Sequence, residues 1–145
     1  MKRHAGFTLI EVLLSISIIS LIATLSLPVY ASFQNRNNLD ITTQSIAGML
    51  RRAQTYARSV SGDSPWGVEI QPTTVTLFQG ATFASRTVAL DETTSIPAGI
   101  TMSGLGEVLF TEFDATPSAT GNIVLTVDAN NVRTISINTK GMVDY

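Results

Sequence analysis

No cysteine occurs anywhere in the 145 residues. That removes disulfides, thiolate metal ligands, cysteine nucleophiles and redox motifs together. Histidine is nearly as scarce, its one copy being His4 in a basic N-terminal tip. A Ser–His–Asp arrangement or a histidine-built metal centre needs imidazole inside a folded domain, and the sequence after His4 offers none. No G-x-x-x-x-G-K-[ST] stretch occurs either, so no phosphate-binding loop of that kind is present. Charge is sparse as well. Charged residues make up 14% of the chain and the formal charge is −2, which gives no global electrostatic case for nucleic acid. From this inventory neither catalytic residues, nor a metal, nor a cofactor is expected.

What the chain does have is apolar residues, 44% of the total, gathered in the first 30 positions. From Phe7 to Leu27 run 21 residues with a single charge, Glu11. As a helix they would span roughly 32 Å, close to a hydrocarbon core of about 30 Å. Lys2 and Arg3 precede the run, so the positive-inside rule puts the N-terminus in the cytoplasm and everything after Pro28 outside it. A plain membrane anchor satisfies this pattern. A secretory signal peptide, cut after Val29-Tyr30-Ala31, is a second reading, but the run is longer than a usual signal core and Glu11 interrupts its start. A carboxylate in such a place needs a partner or a proton, or it must snorkel to the headgroups.

A third reading uses all these features. Met1-Lys2-Arg3-His4-Ala5-Gly6, followed by Phe7-Thr8-Leu9-Ile10-Glu11 and a long apolar helix, resembles the class III leader of type IV prepilins and type II secretion pseudopilins. The resemblance implies that a prepilin peptidase cuts between Gly6 and Phe7 and that the new Phe7 amine is methylated. It also implies that Glu11 of one subunit meets the N-terminal amine of a neighbour, so that each buried charge satisfies the other. Cleavage there would remove Lys2 and Arg3 and keep the whole apolar run. Pro28 would be residue 22 of the mature chain, where this family often carries a helix-kinking proline. Physically it removes the N–H that would bond the Thr24 carbonyl; it also suits a simple exit from the membrane.

Beyond Pro28 the helical pattern becomes amphipathic. Leu39, Ile46, Leu50, Ala53, Ala57 and Val60 recur at spacings of three, four or seven, and Ser61-Gly62-Asp63-Ser64-Pro65 is a stop. One helix is therefore expected from about Thr8 to about Val60, with Arg51, Arg52 and Arg58 as a solvated face near its negative end. Strands are expected at Trp66–Gln71, Thr74–Gln79, Arg86–Leu90, Ile100–Ser103, Glu107–Phe113, Asn122–Asp128 and Val132–Asn138. Ile123, Leu125 and Val127 alternate, as do Ile135 and Ile137, which gives each strand one buried face. Asp128-Ala129-Asn130-Asn131 reads as a hairpin turn in which Asn takes positive φ. Trp66 is expected to pack, and Gly141 to let the last turn reach positive φ.

The fold class expected is α+β: a long N-terminal helix, transmembrane in its first half and amphipathic in its second, packed on one or two antiparallel sheets. Its organisation is a leader at 1–6, a transmembrane helix at 7–28, an amphipathic continuation at 29–62 and an extracytoplasmic β domain at 63–145. Phe110-Thr111-Glu112-Phe113, Gly121-Asn122-Ile123-Val124-Leu125 and the glycine turn near the end resemble the GspH/FimT-type minor pseudopilins and minor pilins. Ala115-Thr116-Pro117-Ser118 departs from that pattern, which commonly has a glycine soon after the Phe strand.

The resemblance implies a non-catalytic subunit of a type II secretion pseudopilus or type IV pilus, with the helices in the filament core. Implied partners are the prepilin peptidase, other pilin or pseudopilin subunits, the inner-membrane assembly platform with its ATPase, and membrane lipid. The alternative is a DNA-capturing minor pilin of a transformation pilus, which would use Arg86, Arg133 and Lys140, the basic residues beyond Ser59. Those are few, and nucleic acid is not the expected partner. A secreted enzyme would have to work from a carboxylate pair such as Glu112 and Asp114, which a strand running that far would place on one face.

Overall fold

The computed structural model describes residues 6–145, with side chains except at 25–29 and 31. The chain divides into two compact units, Met1–Gln34 and Asn35–Tyr145. Helix α1, Leu9–Arg58, supplies the described secondary structure of the first and part of the second. Thr8 starts it: its side-chain oxygen accepts from the Glu11 N–H at 3.3 Å, and its carbonyl accepts the first helical bond, from Val12. That is an N-cap. The other end closes by a 6→1 bond from Ser61 to Tyr56 and a 5→2 bond from Val60 to Ala57, the Schellman pattern. Val60 holds φ 52 there, followed by Gly62 at 78 and Asp63 at 51. The helix thus ends two residues earlier than the apolar spacing suggested, because Val60 serves the cap and not the stripe.

In the second unit α1 buries Leu39, Ile46, Ala47, Met49, Leu50, Ala53 and Ala57 in one core. Thr42 and Thr43 are buried with them, and their hydroxyls donate to the Asn38 and Leu39 carbonyls at 2.7 Å. Those bonds remove the cost of burying a hydroxyl.

The core is completed by two four-stranded antiparallel sheets. The first contains β1 (Trp66–Ile70), β2 (Thr74–Gln79), β3 (Glu92–Ser95) and β5 (Glu107–Phe110) in the order β3-β2-β1-β5. The second contains β4 (Thr101–Gly104), β6 (Gly121–Asp128), β7 (Asn131–Ile137) and β8 (Val143–Asp144) in the order β4-β6-β7-β8. Val68, Leu77, Val108 and Phe110 of one sheet, and Ile123, Leu125 and Ile135 of the other, are fully buried. The α+β architecture is the one the sequence pattern implies.

Three details differ from expectation. Arg86–Leu90 is not a strand. Thr82 accepts from the Ser85 N–H and short 3-10 turns form at Phe83–Ser85 and Val88–Leu90. Between them the Arg86 guanidinium lies over the Phe83 ring and bonds the Asp91 carboxylate at 2.7 Å, which holds the segment folded back. The strand comes afterwards, as β3. Next, β5 stops at Phe110, three residues early, because Phe113 and Ala115 turn to φ 66 and 51. A tight turn replaces the strand end, tied to α1 by a bond from the Phe113 N–H to the Ala57 carbonyl. Finally, the β6–β7 hairpin closes without positive φ at Asn130 or Asn131. A register shift between Thr126 and Asp128 and the Asp128 carboxylate, which accepts from the Asn130 N–H and the Asn131 amide, do that work.

Candidate functional site

The N-terminal segment is the first place to look. Gly6, Phe7 and Thr8 precede α1 in open chain, and Phe7 is 84% exposed. Among the described residues, a side chain built on Gly6 would meet nothing within 4 Å. The basic residues Lys2 and Arg3, with the rest of 1–5, lie outside the described residues.

Glu11 sits in the first turn of α1, where a carboxylate is favoured by the helix dipole. Its backbone N–H is held by Thr8, but among the described residues its carboxylate has no ion pair and no hydrogen bond. Thr8-Leu9-Ile10-Glu11 is a T-x-x-E sequence, the signature of a capping box, of which half is made. The spacing was readable in the sequence and gives Thr8 a structural role as the cap of α1.

From Gly6 to Thr24 every residue of the chain is exposed, including Leu9 at 79% and Ile10 at 75%. Three hydroxyls in this run donate back along the helix, Ser15 to Glu11, Ser17 to Leu13 and Thr24 to Ser20, each at 2.8 Å. A helix in an apolar medium must satisfy its polar groups internally, and these do so. Among the described residues no helix is long and apolar enough to cross a membrane. The described side chains of the run end at Thr24, roughly 24 Å from Leu9 at 1.5 Å per residue. The span expected over 7–28 continues into 25–29, whose side chains lie outside the described residues, and the kink expected at Pro28 falls there too.

Four basic residues of the second unit are already engaged. Arg51 donates to the Val143 carbonyl at 2.9 Å and lies over the Tyr145 ring, and Arg52 pairs with Glu92. Both are ties between α1 and strands, where a solvated face was expected; of the three arginines, Arg58 fits that expectation. Arg86 is held by Asp91, and Arg133 by Asp40 at 2.8 Å. Lys140 is exposed, and its backbone, not its side chain, makes the recorded bonds. Trp66 packs as expected, 7% exposed, with its indole N–H on the Ser61 carbonyl and its ring on Tyr56. Gly141 takes φ 76, and a Cβ there would crowd the Ala115 carbonyl and the Gln54 amide. Glu112 and Asp114 do not share a strand face, since both lie in the turn after β5.

Comparison with known proteins bears on the N-terminus. The prokaryotic N-terminal methylation motif matches residues 1–27. Neither a curated protein nor a solved structure matches the chain. The motif, followed by a long helix and antiparallel sheets, is consistent with a type IV pilin-like precursor of the kind that prepilin peptidase processes.

Proposed function

We propose that this chain is a minor pseudopilin or minor pilin of the GspH/FimT type, a non-catalytic structural subunit of a type II secretion pseudopilus or type IV pilus. The prepilin peptidase cuts between Gly6 and Phe7, and the Phe7 amine is methylated. The observation that carries the reading is the exposed apolar helix from Leu9 to Thr24, in which Ser15, Ser17 and Thr24 bond their hydroxyls back along the helix. Such a surface needs an apolar environment, first lipid as a single inner-membrane span over 7–28, then neighbouring helices. Extraction from the bilayer would be driven by the inner-membrane platform and its ATPase. Pro28 would allow the helix to open or bend as it repacks.

Glu11 has a role of its own in this account. Its carboxylate, without a partner among the described residues, is four residues from the new amine, and the two opposite charges of neighbouring subunits satisfy each other in the filament core. Glu11→Val should enter the membrane as well as the unchanged chain and still be cut, because the cut site is untouched. It should be missing from purified filaments, and Glu11→Asp should be intermediate. Normal incorporation of Glu11→Val would contradict the pairing.

DNA capture has less support, because Arg86 and Arg133 already pair with carboxylates of the same chain. A low-salt gel-shift titration of the full chain in detergent should give no salt-sensitive binding; tight binding lost on changing Arg86, Arg133 and Lys140 to Ala would reverse this ranking.

A further inference from the structure

In the second unit the chain crosses from one sheet to the other at Leu105 and Gly106, between β4 and β5. The Leu105 N–H still bonds the Asn122 carbonyl of the second sheet, at 3.2 Å. One residue on, the Gly106 carbonyl accepts from the Ile70 N–H of the first sheet, at 2.6 Å. The pairing of β5 with β1 begins at the next residue, where Glu107 stands directly opposite Glu69. Two carboxyl groups therefore lie beside the tie between the sheets.

Register decides how closely they approach. Ile70 and Gly106 are directly opposed and hydrogen-bonded, and bonded and non-bonded pairs alternate along an antiparallel ladder. No residue of β1, and none from Gly106 to Phe110, has positive φ, so the alternation is unbroken. Leu109 agrees with it, since its N–H donates to the Ser118 hydroxyl and its carbonyl accepts from the Ser118 N–H, away from β1. Glu69 and Glu107 are thus a non-hydrogen-bonded pair. Such pairs have α-carbons about 4.5 Å apart and the closest side chains in the ladder. Val68 and Val108 are fully buried in the core, so both glutamates project from the other face of the sheet.

Nothing around them offsets two negative charges. β2 carries no charged residue, and opposite Glu69 it offers Thr76, whose hydroxyl is shared with Thr93 of β3. The charged residue of β3, Glu92, is held by Arg52. In the turns packed against β2, Arg86 and Asp91 hold each other. Among the described residues no cation pairs with either glutamate. Glu69 Oε2 is buried without a hydrogen-bond partner. Opposed like charges are unfavourable, and a buried carboxylate oxygen without a donor adds its own cost. One proton removes both costs, because a carboxylic acid donates a short, strong hydrogen bond to a carboxylate beside it. In keeping with this, burial first and Glu107 second raise the Glu69 carboxyl above its usual range, against a hydrogen bond from Gln71.

We propose that Glu69 and Glu107 form a pH-sensitive latch: they share one proton, and its loss loosens the pairing of β1 with β5 where the chain crosses between the sheets. With the proton in place, the carboxyl group of one glutamate donates to the carboxylate of the other across the ladder. Without it, two negative charges face each other at the closest cross-strand position, and the Ile70–Gly106 bond is the next one along. Acid closes the latch and a rise in pH opens it. The two groups titrate as a pair, in two steps that belong to both. The stability the latch contributes is complete below the usual 4.5 and is lost as pH rises through the raised folded value.

The test uses the full chain, isotope-labelled in detergent, with the glutamate carboxyl carbons followed by NMR from about pH 3 to about pH 8. The Glu69 and Glu107 carbons should each report the same two steps, the upper one above the usual carboxylate range. In Glu107→Gln, Glu69 should titrate in a single step at lower pH than that upper one. Hydrogen exchange gives the second readout. Corrected for its intrinsic pH dependence, exchange at the Ile70 amide should quicken about tenfold across the upper step, while the Leu125 amide of the second sheet stays unchanged. Glu107→Gln should keep the Ile70 amide protected over the whole range, which also shows that the variant folds. Independent single steps, each indifferent to substitution of the other glutamate, would overturn the proposal. So would Ile70 protection that does not change with pH in the unsubstituted chain.

Discussion

Val60 is the residue whose conformation and chemistry disagree most. A β-branched side chain at φ 52 occupies a C′ position that helices commonly give to glycine. Val60→Gly should therefore raise stability by about 1 kcal/mol, measured by denaturant midpoint in detergent. Gly141→Ala should do the opposite by about 1–3 kcal/mol, since its φ of 76 is combined with the nearby Ala115 carbonyl. Glu69 makes a pH-dependent prediction. Its folded carboxyl holds a proton more tightly than the usual 4.5, so its contribution is most favourable below that value. Stability should decline as pH rises through 4.5 and the raised folded value. Glu69→Gln should flatten that decline and be the more stable form at pH 7; an unchanged pH profile would contradict the raised value. Some of these residues were legible beforehand and some were not. Gly141 and Trp66 could be read because glycine in a turn and tryptophan after a break each have one simple use. Val60 misled, because an apolar residue at helical spacing looks like core whether or not the helix has already ended.

Among the elements, α1 and the β6–β7 hairpin were legible because their signals are periodic. Leu39, Ile46, Leu50, Ala53 and Ala57 mark the buried stripe, and Ile123, Leu125, Ile135 and Ile137 face the core as alternation requires. The segment between β2 and β3 was not. Arg86–Leu90 has the composition of a strand, and what folds it back is the set of contacts Arg86 makes with Phe83 and Asp91. β3 itself, Glu92–Ser95, has no apolar alternation to announce it. Removing the cause should therefore release the element. Arg86→Ala leaves the half-buried Asp91 carboxylate unpaired, which costs about 2–3 kcal/mol, and proteolysis should quicken within residues 80–91. Equal protease resistance of the variant would mean that the turns hold themselves.

For the molecule as a whole, two kinds of surface follow from one sequence. Residues Asn35–Tyr145 bury their apolar stripe within a helix-and-sheet core, whereas Leu9 to Thr24 leave theirs uncovered. The N-terminal methylation motif was legible because it is written in consecutive residues. The central claim is that this N-terminus is a prepilin peptidase substrate. The direct measurement is intact mass and N-terminal sequence of the chain made in cells with and without the peptidase. With it, the account predicts a protein beginning at Phe7 and carrying one added methyl group on its amine. A chain still beginning at Met1, or one beginning at Ser32 as an ordinary signal peptide would leave it, would contradict the claim.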